Sequence, residues 1–206
     1  MGLFSRKSTD STTTTAVIDA PTPAAGADLA HLTGDYTIDS THSRIGFAVR
    51  HAMVTNVRGE FTDYTGRLHL DGSNPAASSA ELVIQVASVD TKNEQRDGHL
   101  RTGDFFEAET HPEITFRSTA AEQVDADTYR LTGDLTIKAT TRPVVLTLDF
   151  TGSATDPYGI QRLGFEGSAT VDRTDFGLTY NAALETGGVL IGEKVKLSFD
   201  ISAVRS

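Results

Sequence analysis

Apolar residues recur at every second position through most of this chain, and a period of two permits few folds. Ile45, Phe47, Val49 and His51 share one face, with Arg44, Ala48 and Arg50 on the other. Val57, Gly59 and Phe61 follow, then Tyr64, Gly66, Leu68 and Leu70 against Arg67 and His69. The pattern resumes in Ala80, Leu82, Ile84 and Val86, and again in Ile114 and Phe116. Tyr129, Leu131, Gly133, Leu135 and Ile137 repeat it, as do Val144, Leu146, Leu148 and Phe150. Leu163, Phe165, Gly167, Ala169 and Val171 precede a last run of Val195, Leu197, Phe199 and Ile201. Side chains alternate across a strand, so each segment has one dry and one wet side, the mark of antiparallel sheet. About eight strands, with turn signals such as Asp71-Gly72-Ser73-Asn74-Pro75, predict an all-β barrel or sandwich. Glycines within strands, such as Gly46, Gly66 and Gly133, favour a barrel, where the sheet must curl.

The alternation starts only at Tyr36. Residues 1 to about 33 carry Thr12–Thr15 in a row and Pro21 and Pro23, too little apolar surface to offset the entropy of ordering. They read as a disordered tail, with a short helix near 27–32 as an option, and residues 34–206 as one barrel domain. A formal net charge of −10 argues against a nucleic-acid partner, which needs a basic surface. It also argues against simple electrostatic docking on an anionic membrane. With no cysteine, thiolate catalysis and Cys-ligated metals are excluded. No apolar run reaches the roughly 20 residues of a membrane-spanning helix. The start MGLFSRKSTDSTTTT lacks the apolar core of a secretory signal, so a cytoplasmic location is expected.

One stretch, 91–116, breaks the alternation and gathers charge, two histidines and Phe105-Phe106. It predicts a helical excursion near residues 93–106 that forms a lid or mouth. Asp97 and Arg101 stand four apart, the spacing of a structural ion pair. Catalytic residues are not expected. Ser43 beside His42 is sequence adjacency, and no G-x-S-x-G elbow or H-E-x-x-H helix occurs. A metal site at the mouth would draw on His51, Asp97, His99 and His111, but none is His-x-His spaced, and imidazoles bonded to carbonyls or carboxylates are the simpler reading. The inward face remains. Phe47 and Phe165 alternate there with Gly66, Ala80, Gly133 and Ala169, a pattern that could leave a tunnel.

These residues carry a family likeness. Tyr36-x-Ile38-Asp39-x-x-His42-Ser43-x-Ile45-x-Phe47-x-Val49-x-His51 opens it, followed by Val57-x-Gly59-x-Phe61. The most specific piece runs Ser88-Val89-x-Thr91, Arg96-Asp97-x-His99-Leu100-Arg101, Asp104-Phe105-Phe106 and Pro112-x-Ile114-x-Phe116. Arg173-x-Asp175-Phe176-Gly177 and Ile191-Gly192-x-x-Val195 complete it. The chain resembles the YceI-like family of polyisoprenoid-binding proteins from Tyr36 to its end. The resemblance implies an extended, lipocalin-like antiparallel barrel enclosing a polyprenyl chain or isoprenoid quinone, as a non-catalytic carrier or sequestering protein. It also implies a homodimer, and many relatives are periplasmic. No cofactor is expected beyond the bound lipid. Strand phase assigns the lining to Ile45, Phe47, Val49, Phe61, Leu82, Ile84, Val86, Ile114, Phe116, Leu135, Ile137 and Phe165, with Phe105 and Phe106 turned inward. The lipid head is expected near His51, Arg96 or His99. Two rival expectations remain: a metal- or cofactor-dependent enzyme using the mouth histidines, and a barrel filled by its own side chains.

Overall fold

The computed structural model describes residues 29–185 and 187–206. Its strands are β1 (Gly34–Ile38), β2 (Arg44–His51), β3 (Thr55–Phe61), β4 (Tyr64–Leu70), β5 (Ser79–Gln85) and β6 (Val89–Asp90). After helix α1 (Glu94–Leu100) come β7 (Glu113–Gln123), β8 (Thr128–Ile137), β9 (Thr140–Thr155), β10 (Gln161–Asp172) and β11 (Ile191–Arg205). Neighbouring strands pair antiparallel throughout. β1 and β2 both pair with β11, one at each end of it. β3 and β4 pair in turn with β2 and β1, and β6 and β5 with β3 and β4. Each of these couples is one long strand broken by a kink, so the segments make eight staves of a closed barrel. The β1–β11 pairing joins first stave to last, and closure removes the open edges a sandwich would have to protect.

Polar side chains hold the kinks. Between β1 and β2 the Asp39 carboxylate accepts from the Thr41 hydroxyl at 2.6 Å and from Arg162 at 2.6 Å, and also bonds His42 Nδ1. These partners, Thr41 first and Arg162 next, keep the Asp39 carboxyl well below the usual carboxylate range. The Asp39-x-x-His42 motif is therefore part of the scaffold. Between β5 and β6 a 3-10 turn, Val86–Ser88, interrupts the stave.

Two apolar clusters fill the inside. The larger runs through the barrel from Ile45, Phe61 and Ile84 to Leu135, Leu146 and Val171. The smaller closes the end where β11 terminates: Leu29, Leu32, Tyr36, Leu70, Leu163 and Ala203. Leu32 is wholly buried, and the Tyr36 hydroxyl donates to its carbonyl at 2.6 Å. Arg205 donates to the Thr33 carbonyl at 2.7 Å and lies over the Tyr36 ring. The expected tail lies outside the described residues as far as position 28, but its last part does not. Leu29 and the 3-10 turn Ala30–Leu32 plug the barrel, because the two leucines find an apolar end to bury against. No helix among the described residues is long and apolar enough to cross a membrane.

Candidate functional site

The barrel encloses a cavity of about 470 Å³. Its wall comes from every stave, because the in-phase residues of each strand converge on it. Of the residues expected there, Ile45, Phe47, Val49, His51, Phe61, Leu82, Ile84, Arg96, His99, Phe105, Phe106, Ile114, Phe116, Leu135, Ile137 and Phe165 all line it. Val86 does not. Val86 begins the 3-10 turn that interrupts the stave and packs, 1% exposed, in the same interior cluster as Ile84 and Val89. Phe165 lines the cavity while stacking on Phe150 toward the plugged end, with ring centres 5.4 Å apart.

Several in-phase residues, Leu82, Ile137, Val195, Leu197, Phe199 and Ile201 among them, face inward by register but are only partly buried. Their free surface opens into the cavity. The glycines do not create this space. The Phe47 ring lies over Gly59 and the Phe116 ring over Gly133, where a Cβ would collide with them. Of the small positions expected to leave a tunnel, Gly133 is covered by the Phe116 ring and Gly66 by the Ile38 side chain, whereas Ala80 lines the cavity.

At the other end of the barrel from the plug, β6 pairs only with β3, and β7 starts opposite β5. α1 and the turns after it fill this gap in the wall. Asn93 caps α1 by accepting the Arg96 N–H at 2.9 Å. Asp97, buried, accepts the Thr91 N–H at 2.9 Å and its hydroxyl at 2.5 Å. Arg96 donates to the same Thr91 hydroxyl and to the Thr91 carbonyl at 2.8 Å. The anticipated Asp97–Arg101 pair does not form. Asp97 turns in to satisfy Thr91, whereas Arg101 donates to the carbonyls of Ala87 and Val89 left over at the stave break. Thr91, Arg96, Asp97 and Arg101 thus fasten the helix to the wall.

His99 bonds to Asp104 at 2.8 Å and stands edge-on to Phe105 and to Tyr180, 5.0 Å away. Tyr180 and Leu178 come from the segment between β10 and β11, which reaches across to α1 and narrows the mouth. Both line the cavity and neither was foreseen, since 177–190 has no period to read. Arg173 supports that segment. It is 6% exposed, and it donates to the carbonyls of Leu178, Ile191 and Gly192 without a carboxylate. Burial lowers its pKa, but a guanidinium remains charged. His111 faces Glu107 at 3.9 Å. The four groups considered for a metal are not brought together, and the described residues hold no group of three or more His, Asp or Glu side chains placed to bind one.

This geometry has counterparts. The model of the YceI-like domain matches residues 36–203. A "UPF0312 protein" of Ectopseudomonas mendocina is 35% identical over 176 residues, 84% of this chain and 89% of that one. The BcnA crystal structure from Burkholderia cenocepacia aligns with a TM-score of 0.70 at 24% identity, covering 80% of this chain and 98% of that one. A polyisoprenoid binding domain from Saccharophagus degradans aligns with a TM-score of 0.61 at 15% identity, covering 83% and 98%. At these identities the two structures speak for the fold alone, whereas the domain match and the curated relative speak for descent. By the domain match and the curated relative together, this chain belongs to the YceI-like family.

Proposed function

We propose that this protein binds a long isoprenoid lipid, a polyprenyl chain or the tail of an isoprenoid quinone, inside the barrel, and that it carries or sequesters the lipid without altering it. The observation that carries this reading is the cavity wall of inward-facing but incompletely buried aliphatic and aromatic side chains. Apolar surface left facing an internal space loses both dispersion contacts and the benefit of leaving water, so a chain that fills it is stabilised. At about 0.8 kcal/mol per methylene, each five-carbon unit contributes roughly 3 to 4 kcal/mol before association costs, and a few units bind without any polar anchor. The lipid-binding description of the Saccharophagus degradans domain agrees in kind. Polar groups sit at the mouth, where Arg96, His99 and His51 border the cavity and would meet the lipid head.

Native mass spectrometry of gently purified protein, with solvent extraction of bound lipid, tests the reading. One isoprenoid chain per barrel is expected, and Leu197→Trp, which juts into the cavity, should weaken uptake while leaving a cooperative thermal transition. Absence of copurified lipid together with no uptake of polyprenol or quinone by the wild-type protein would overturn it.

A further inference from the structure

The mouth has a rim that the cavity does not account for. The β2–β3 turn is closed by the Val54 N–H donating to the His51 carbonyl at 3.1 Å. Its central residues, Ala52 (φ 48°) and Met53 (φ 63°), both sit in the left-handed region. Tight hairpin turns of this kind ordinarily use Asn-Gly, because a side chain strains the backbone there. Here the strained turn displays Met53, 61% exposed, and Val54, 79% exposed. The Ala52 N–H donates to the Leu190 carbonyl at 2.7 Å, tying the turn to the chain beside the Ala183–Val189 bridge. That chain adds exposed Val189, and Tyr180 stands exposed at the mouth. Exposed apolar side chains at the opening of an apolar cavity form one continuous surface.

Charge identifies what covers it. On the outer face beside the turn, Arg58 and Lys196 flank Ala48 in one cross-strand row, and Arg50 follows on β2. All three are exposed, and none of their side chains forms an ion pair or hydrogen bond with the described residues. Two of the acids near them are engaged, Asp172 by Lys194 and Glu60 by Arg44 and Lys92. Glu185 and Glu193, both exposed, form no ion pair with the described residues. The net charge of −10 opposes any general attraction to an anionic surface, so the pull must be local: three exposed cations behind an apolar tip, without ion pairs among the described residues. We infer that this rim docks on an anionic lipid bilayer, with Met53 and Val54 entering the headgroup region, Arg58, Lys196 and Arg50 against lipid phosphates, and the cavity opening toward the acyl chains. Apolar insertion backed by cations is how a peripheral surface holds an anionic bilayer. For its purpose, lipid exchange, the inference rests on the cavity reading, but the docking itself does not need a loaded cavity.

Cosedimentation with phosphatidylcholine vesicles, with and without phosphatidylglycerol, tests it. Wild-type protein should pellet with the anionic vesicles and be released as salt rises. Arg58→Ser and Lys196→Ser should each weaken binding about fivefold. The pair Ala52→Asn and Met53→Gly installs the favoured turn, so it should raise the unfolding midpoint while weakening vesicle binding about tenfold. Neither pair touches the cavity wall, so uptake of polyprenol from detergent should persist, which separates failure of docking from failure of lipid binding. No pelleting by the wild-type protein, equal pelleting by these variants, or self-association through Met53 in sedimentation without vesicles would each overturn the inference.

Discussion

The two ends of the barrel are built on opposite principles. At the plugged end, Leu29, Leu32, Tyr36, Leu70, Leu163 and Ala203 pack into a closed cluster, and Tyr36 and Arg205 tie the entering chain down by hydrogen bonds. At the mouth the stave broken at Val86–Ser88 stops short, a helix patches the wall, and Met53 and Val54 face outward. One end buries its apolar residues to hold the fold. The other leaves them where something else can cover them. Stability should therefore concentrate at the plug and ligand traffic at the mouth.

The comparison breaks most sharply on Leu32. Truncating this wholly buried side chain to alanine should cost about 2 to 5 kcal/mol, lowering the denaturant midpoint without a change in slope. Tyr180→Ala at the mouth should cost less, about 1 kcal/mol, since the residue is 39% exposed and its ring touches only His99 and Phe105 among the aromatic side chains, yet speed the exchange of bound lipid. If Tyr180→Ala were as destabilising as Leu32→Ala, the division between the ends would fail. Tyr36→Phe keeps the ring and deletes only the hydroxyl that donates to Leu32. It should cost about 1 kcal/mol, read as a small shift of the same midpoint.

The smallest effect is one of pH. The Asp39 carboxyl is held below its unfolded value by Thr41 and Arg162, so the folded state binds fewer protons there. Its contribution is complete above about pH 4, the ordinary range of an aspartate, and is lost as pH falls toward the lowered value. Asp39→Asn should flatten the acid limb of the stability profile between about pH 4 and pH 2, measured by denaturant titration.

Much of this was legible in the residues, and the reasons are physical. Strand phase placed Ile45, Phe47, Leu82, Leu135 and Ile137 on the cavity wall because a side-chain period of two admits no drift within a strand. The same rule turned Val86 inward, where it is indeed buried at 1% exposure, but at the start of a 3-10 turn it packs in the core and leaves the cavity wall to its neighbours. Asp97 and Arg101 had the spacing of an ion pair, but each found a better partner among backbone groups that only the stave break leaves unpaired.

Local pattern determined that this chain is antiparallel β-structure with one dry face, since that depends on neighbours two residues apart. It also determined that one stretch, 91–116, must do something other than pair as strand. Tertiary structure alone decided that the dry face closes on itself, that Leu29 and Leu32 stop one end, and that Phe47 and Phe116 occupy the room their neighbouring glycines leave. It also decided that Tyr180 meets His99 across the mouth, and that Arg58 and Lys196 come side by side around Ala48. Those contacts join residues far apart in sequence, and their partners are chosen by closure and register, which no local period encodes.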